Sequence, residues 1–187
     1  MIHEDFIEKN YKGYTDYLES QKRINSPFVV SDKKDNHPAS YYSETKLNGT
    51  YMFGDTYLSC EVKNSNAADF SIAILSSLIS SRVLFRYDSD GLPHRNSADY
   101  IPLPEQSVPT PHYHQFDDKG NLLAYQSEDM KEPKKIAEWR KLENVFNEIC
   151  KMKNIHSHQS DETPLIALIT GNITYDLGDD PINGLVF

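Results

Sequence analysis

The chain has 187 residues, which is enough for one domain that buries a core without disulfides or metal ions. Its net charge of −9 disfavours an extended nucleic-acid groove, because such a groove draws its affinity from many Lys and Arg side chains. No stretch approaches the roughly 18 apolar residues of a membrane span, and the chain start lacks the basic and apolar parts of a signal peptide, so we expect a cytoplasmic protein without membrane contact.

The acidic charge is concentrated near the C-terminus, since no Lys or Arg occurs between Asn154 and Phe187. The two cysteines, Cys60 and Cys150, are too few for a disulfide framework, and we expect reduced, packed thiols. We divide the expected single domain, residues 1–187, into an N-terminal helix and loop (1–48), a core with a histidine cluster and a long helix (49–153), and an acidic extension (154–187).

An amphipathic helix is predicted over residues 3–23, where apolar side chains recur at helical spacing between charged ones. Ser26-Pro27 ends it, because the residue before a proline is displaced from the helical region. A short strand is predicted at residues 28–30. Residues 31–48 are polar without a sustained apolar period, which predicts a loop.

Aromatic and β-branched enrichment predicts strands at residues 50–53, 57–62, 70–75 and 82–87. Residues 72–79 also fit a helical turn, and the pattern leaves that alternative open. A turn at Asp90-Gly91 leads into a proline-rich loop. Its prolines are Pro93, Pro102, Pro104, Pro109 and Pro111.

The second half of the chain predicts a hairpin, a helix and a last pair of strands. The hairpin joins residues 112–116 to 122–125, and the helix covers 134–152 with an apolar stripe that should pack on a sheet. A buried strand is expected at 164–170, paired with 173–175. The fold class predicted is α+β: a mainly antiparallel sheet with an N-terminal helix and one long helix packed across it.

The histidines near the middle of the chain are the main candidates for chemistry. His94, His112 and His114 are close in sequence to two arginines, Arg86 and Arg95. Imidazole exchanges protons near neutral pH and also binds metal ions. In an extended His112-Tyr113-His114 segment the two imidazoles project from one face about 7 Å apart along the backbone.

An acid–base site is the first interpretation of this cluster. One imidazole would accept a proton from a ribose hydroxyl while another donates to the leaving oxygen. Arg86 or Arg95 would bind the phosphate, and Asp88 would orient a histidine or hold Arg86. This interpretation needs no cofactor.

A divalent metal ion is the second interpretation, with His112 and His114 as ligands and His94 or a carboxylate as the third, because a catalytic ion often takes three protein ligands. A structural role is the third. Arg86 and Asp88 would then form a surface ion pair, and the histidines would bond to loop carbonyls, since a lone His-x-His pattern is weakly specific.

A further pair, His156 and His158, is predicted to lie in a solvated loop, and it would supply additional metal ligands if that loop folded back onto the cluster.

The order Arg86-x-Asp88, Pro93-His94-x-Asn96 and Pro111-His112-x-His114 resembles an uncharacterised domain-of-unknown-function family of Gram-positive bacteria and their phages. The similarity covers roughly residues 50–165. A looser similarity connects the chain to small toxin proteins of toxin–antitoxin pairs. Neither resemblance implies a mechanism, but both make these residues the first to mutate: Arg86, Asp88, His94, His112 and His114.

The sequence leaves two functions open. The first is an RNase-like or other phosphate-directed activity, with RNA or a phosphate-containing ligand as partner. Its catalytic residues would be Asp88, His94, His112 and His114, with Arg86 and Arg95 binding the anion. The second is a non-enzymatic acidic protein that binds a basic host or defence protein through the acidic extension. A phage-encoded protein is one form of this hypothesis.

Overall fold

The computed structural model describes residues 2–34, 37–48 and 53–170. Its helices are α1 (Asp5–Lys9), α2 (Tyr11–Glu19), α3 (Glu128–Lys131) and α4 (Leu142–Met152). Its strands are β1 (Lys22–Ile24), β2 (Phe28–Val30), β3 (Asp32–Lys34), β4 (His37–Lys46), β5 (Thr56–Lys63), β6 (Asn66–Ser76), β7 (Val83–Asp88), β8 (His94–Arg95), β9 (Ser107–Val108), β10 (His112–Phe116), β11 (Leu122–Tyr125), β12 (Ile155–Ser157) and β13 (Ile166–Leu168).

An antiparallel sheet forms the centre of the described part of the chain. Seven strands follow the order β11-β10-β7-β6-β5-β4-β3. The predicted α+β class is therefore confirmed, as are the hairpin of β10 and β11 and the strands that correspond to β5, β6 and β7. Residues 72–76 belong to β6, which decides against the helical alternative there.

Alternation along β7 gives the sheet two different faces. Phe85 and Tyr87 are fully buried, and the segment that leads into and through α4 covers them. The Tyr87 ring centroid lies 6.3 Å from that of Trp139, and Lys153 Nζ lies 4.3 Å from the Phe85 ring centroid. Arg86, which lies between them in β7, and Asp88, which follows Tyr87, therefore point to the opposite face.

The N-terminal helix differs from the prediction over residues 3–23. It is divided into α1 and α2, and the chain is already extended at Lys22. The Asn10 side chain donates a hydrogen bond to the Phe6 carbonyl at 2.9 Å, which gives the end of α1 a local alternative to the helical hydrogen bond. Tyr14 in α2 then packs edge-to-face against Phe116 of β10.

The predicted loop over residues 31–48 is wrong, because β3 and β4 form an antiparallel pair there and extend the sheet. Both strands lie at or next to the sheet edge, where one face need not be apolar, so a polar sequence can still pair through its backbone. Ser40 to Lys46 pair residue by residue with β5.

The predicted long helix also begins later than expected. A 3₁₀ turn at Glu138–Arg140 precedes α4, and extended backbone at Lys141 separates the two. The buried stripe of α4 is Val145, Phe146, Ile149 and Cys150. None of the helices in the described part of the chain has the length and apolarity that crossing a bilayer requires.

The C-terminal strands pair with N-terminal ones. β12 pairs in parallel with β1, and β13 with β2, so residues 155–168 of the acidic extension belong to the fold. The strand predicted at 164–170 is shorter, because only Ile166–Leu168 are extended and paired. These three residues are half-buried, and Leu165 and Ile169 on either side of them are exposed. Its predicted partner at 173–175 and most of the predicted strand at 50–53 lie outside the described residues.

Candidate functional site

Neighbouring strands bring four of the predicted side chains to one sheet face. In the antiparallel register of β7 and β10, His112 lies opposite Asp88 and His114 opposite Arg86. Because side chains alternate along each strand, all four project away from the face that α4 covers. The predicted extended conformation of His112-Tyr113-His114 is confirmed.

His94 reaches this face from a separate segment, where β8 pairs with β9. The Asn96 side chain attaches that segment to β11 at Ala124. Its Oδ1 accepts from the Ala124 N–H at 2.8 Å, and its Nδ2 donates to the Ala124 carbonyl at 2.7 Å. The His94 ring centroid is thereby 4.7 Å from that of His114 and 6.2 Å from that of His112.

The Asp88 carboxylate joins the arginine to the imidazoles. Its Oδ1 accepts a hydrogen bond from Arg86 Nε at 2.8 Å, and Arg86 Nη2 lies 2.7 Å away. Its Oδ2 lies 3.0 Å from His114 Nε2 and 3.7 Å from His112 Nε2. Burial raises the pKa of Asp88, but the hydrogen bond from His114 and the Arg86 charge outweigh it and lower the pKa below its ordinary value. The carboxylate is therefore anionic at neutral pH.

The protons of the two strand histidines follow from their partners. His112 Nδ1 lies 3.1 Å from the Pro109 carbonyl oxygen, which can only accept, so in the neutral ring Nδ1 carries the proton and Nε2 a lone pair. His112 Nε2 lies 2.9 Å from His114 Nε2. A proton on His114 Nε2 therefore has two competing acceptors, His112 Nε2 and Asp88 Oδ2.

Burial is the first cause of the lowered pKa at both His94 and His112. The neighbouring His114 adds to this effect at each ring. The Asp88 charge opposes it at both, without reversing it. Both rings are therefore neutral at pH 7.

Some contacts in the cluster fit the structural role that the sequence left open, and others fit a chemical role. The Arg86–Asp88 ion pair forms, and His112 does bond to a loop carbonyl, as a structural role requires. His114, however, turns to Asp88 and His112 rather than to a carbonyl. The rings converge instead of being sealed off separately, which is the arrangement that chemistry requires.

Arg95 is the predicted site residue that lies apart from the others. It follows His94 in β8, so its side chain alternates to the other side, where Nε lies 3.4 Å from Gln106 Oε1. It is absent from the wall of the cavity that the histidines line. Arg86, with a side chain 47% exposed, remains the arginine that can reach a ligand there.

A cavity of about 450 Å³ opens over the cluster. Its walls include Arg86, Asp88, Asp90, His94, His112 and His114. A larger cavity of about 860 Å³ lies against β11 and contains none of the three histidines in its wall, so it does not share this chemistry. The smaller cavity is the one that has His94, His112 and His114 together in its wall.

The other histidine pair lies outside the cluster, and the predicted solvated position is confirmed for His158, which is exposed in a bend, but not for His156. His156 belongs to β12 rather than to a solvated loop, and its Nδ1 and Nε2 lie 2.6 Å from the Asp161 carbonyl oxygen and from Asn154 Oδ1. His158 Nε2 lies 3.1 Å from Asn48 Nδ2. Both cysteines are buried and free, as expected.

Comparisons of the chain with protein families, curated proteins and solved structures give no match. The resemblance described above therefore stays a prediction carried by its motif, and function must be argued from the site geometry.

Two contributors to the site were not assigned roles from the sequence. Asn96 belongs to the quoted motif, but its attachment of the His94 segment to Ala124 depends on a pairing between distant segments. The Pro109 carbonyl, which fixes the tautomer of His112, has no signal in the sequence because it is a backbone group.

Proposed function

We propose that this protein is a phosphate-directed enzyme that cleaves phosphodiester bonds, and that RNA is the first substrate class to test. The observation that carries the proposal is the convergence of Arg86, Asp88 and the three imidazoles on one solvent-reachable cavity. General acid–base catalysis needs proton carriers within reach of one substrate, and phosphate chemistry needs a cation beside them.

The two proton-transfer roles fall to different histidines. His94 is half-buried, and its lowered pKa keeps the ring neutral, so it suits the base that accepts the proton of a ribose 2′-hydroxyl. The 2′-oxygen then attacks phosphorus and the bond to the 5′-oxygen breaks. The imidazolium form of His114, paired with Asp88 Oδ2 at 3.0 Å, donates its Nε2 proton to that leaving oxygen and becomes the neutral ring.

Arg86 is the residue proposed to bind the phosphate anion. Asp88 Oδ1 holds the Nε side of its guanidinium, and the side chain is still 47% exposed. A guanidinium has five N–H donors, so donors remain for phosphate oxygens after this pairing. His112 acts through His114, because its Nε2 lone pair lies 2.9 Å from His114 Nε2.

Cleavage of labelled RNA tests the proposal, and the 2′-deoxy counterpart of the same strand, which lacks the attacking hydroxyl, should not be cleaved. We expect His94→Gln and His114→Gln each to reduce the rate by about 100-fold or more, because each removes a proton carrier. The matched control is His158→Gln, an exposed histidine outside the cluster, which should leave the rate unchanged. Equal rates for the wild type and both cluster variants, or no cleavage of RNA by the wild type, would contradict the proposal.

The alternative proposal is a non-enzymatic acidic protein that binds a basic partner. It rests on the acidic extension, but Asp161 already pairs with Arg23 within the same chain. Removal of residues 154–187 would also remove β12 and β13, so the cleaner probe is Glu162→Gln, a change at an exposed position of the acidic extension. The two buried free thiols support a reducing compartment, and we propose the cytoplasm for either function.

A further inference from the structure

The ligand atoms of Asp88, His112 and His114 form a compact triangle. The two histidine Nε2 atoms are 2.9 Å apart, and they lie 3.0 Å (His114) and 3.7 Å (His112) from Asp88 Oδ2. Zinc and related ions bind imidazole nitrogen and carboxylate oxygen at about 2.0–2.2 Å. A point about 2.1 Å from all three atoms exists roughly 1 Å outside their plane, so the side chains as they stand fit one ion.

The three ligand atoms of this triangle have more lone pairs than hydrogen-bond donors to satisfy them. The Pro109 carbonyl takes the His112 Nδ1 proton, so His112 Nε2 presents a lone pair to the centre of the triangle. Asp88 Oδ2 presents another, and a single proton on His114 Nε2 can serve only one of them well. A divalent ion would satisfy all three atoms together. The Pro109 carbonyl and Arg86 would act as outer partners that orient the ligands, as such partners do at metal sites.

The charge of the cavity wall also favours a cation. Arg86 faces Asp88 and Asp90 across it. Arg140 pairs with Asp90 at 3.1 Å, which leaves the wall at best neutral. A bound divalent ion would make this wall positive, which would strengthen the attraction for the phosphate that Arg86 is proposed to bind.

We propose that Asp88, His112 and His114 bind one divalent first-row transition-metal ion, of the class of Zn²⁺, Co²⁺ or Mn²⁺. Two imidazoles with one carboxylate suit these ions better than Mg²⁺, which is held mainly by oxygen. Three protein ligands leave positions open for a phosphate oxygen. With the ion bound, no proton remains on His114 Nε2, so the ion would replace proton donation by His114 and would itself stabilise the negative charge on the leaving oxygen. Only this last role rests on the proposed function.

The test is a titration of the EDTA-treated full chain with Co²⁺, followed by its visible absorption, with Zn²⁺ as competitor. We expect one Co²⁺ per chain, displaced by Zn²⁺, and affinity reduced about 100-fold or more in His114→Gln and in Asp88→Asn. The control is His3→Gln, because His3 is the histidine of the other group with close ligand atoms, together with Asp5 and Glu8, and that group is exposed. Circular dichroism of each variant checks that it is folded.

The outcomes separate the two proposals. No Co²⁺ binding by the wild type, or binding lost in His3→Gln and kept in His114→Gln, overturns the metal site. Co²⁺ binding with the expected dependence but no cleavage supports the metal site and contradicts the proposed function. Cleavage in EDTA by a protein that does not bind Co²⁺ supports the proposed function and overturns the metal site.

Discussion

At the residue scale, the side chain of Asn96 holds the His94 segment against β11 by hydrogen bonds of the kind that pair two strands. Its side-chain amide matches one N–H and one carbonyl of Ala124 and is itself buried, so it holds the His94 segment to the sheet edge by two hydrogen bonds. Asn can do this because it carries both a donor and an acceptor. The histidine that completes the cluster therefore depends on an amide two positions later.

Asn96→Ala should lower the free energy of unfolding by about 1–3 kcal/mol, because it leaves two buried backbone groups of Ala124 without a partner. The rate of phosphodiester cleavage should fall as well, since His94 loses its fixed position. Urea unfolding and the cleavage assay measure the two effects. Asn144→Ala, an Asn-to-Ala change at an exposed position in α4, is the control and should stay within about 0.5 kcal/mol of wild type. Equal stability of both variants would show that the amide does not hold the segment.

At the element scale, Lys22 joins the ends of two helices. Its fully buried ammonium donates to the carbonyls of Leu18 at 3.0 Å, Ser20 at 2.7 Å and Lys153 at 3.0 Å. These carbonyls lie in or just after the C-terminal turns of α2 and α4, where the helix dipole favours a positive charge. Burial, and then the charge of Lys153, lower the pKa of Lys22 to about 7.

Lys22→Met should destabilise the protein, and more so at pH 9 than at pH 7. The unfolded lysine keeps its proton up to about pH 10, whereas the folded one loses it near 7, so the unfolded state binds more protons and wild-type stability rises with pH. The difference in unfolding free energy between wild type and variant should grow by about 2 kcal/mol from pH 7 to pH 9. Lys153 is common to both proteins, so the comparison isolates Lys22. Parallel pH profiles from urea unfolding would contradict this account.

The elements that the sequence predicts well are those in which a buried face imposes a pattern. The β5, β6 and β7 strands are rich in aromatic and β-branched residues because they lie at the centre of the sheet. The polar β3 and β4 strands lie at and beside an edge, where backbone pairing suffices, so they resemble a loop in sequence. The apolar residues before α4 likewise look helical, although Trp139 packs on the sheet from a 3₁₀ turn.

The sequence likewise predicts some features of the candidate site and not others. Strand alternation was enough to predict that Arg86 shares a face with Asp88, and His112 with His114. The register that sets Asp88 beside the imidazoles depends on the pairing of β7 with β10, which are separated by the proline-rich loop. The exclusion of Arg95 follows from the two-residue strand β8 and had no signal of its own.

At the scale of the whole molecule, one sheet serves two purposes. The face under α4 is buried and supplies the packing that holds β7 and β10 in register, while the opposite face carries the ionisable groups. Parallel pairing of β12 with β1 and of β13 with β2 ties sequence-distant segments together beside this sheet. A rigid support of this kind is what a site requires when its proton carriers must stay within about 3 Å of each other.

The most direct measurement of the central claim is NMR of the histidine rings in the metal-free, ¹⁵N-labelled protein. The cluster predicts ring-to-ring nuclear Overhauser effects among His94, His112 and His114, whose centroids lie 4.7–6.2 Å apart. It also predicts that neutral His112 carries its proton on Nδ1, because the Pro109 carbonyl accepts it. Absence of contacts between these rings, or a proton on Nε2 of neutral His112, would contradict the account.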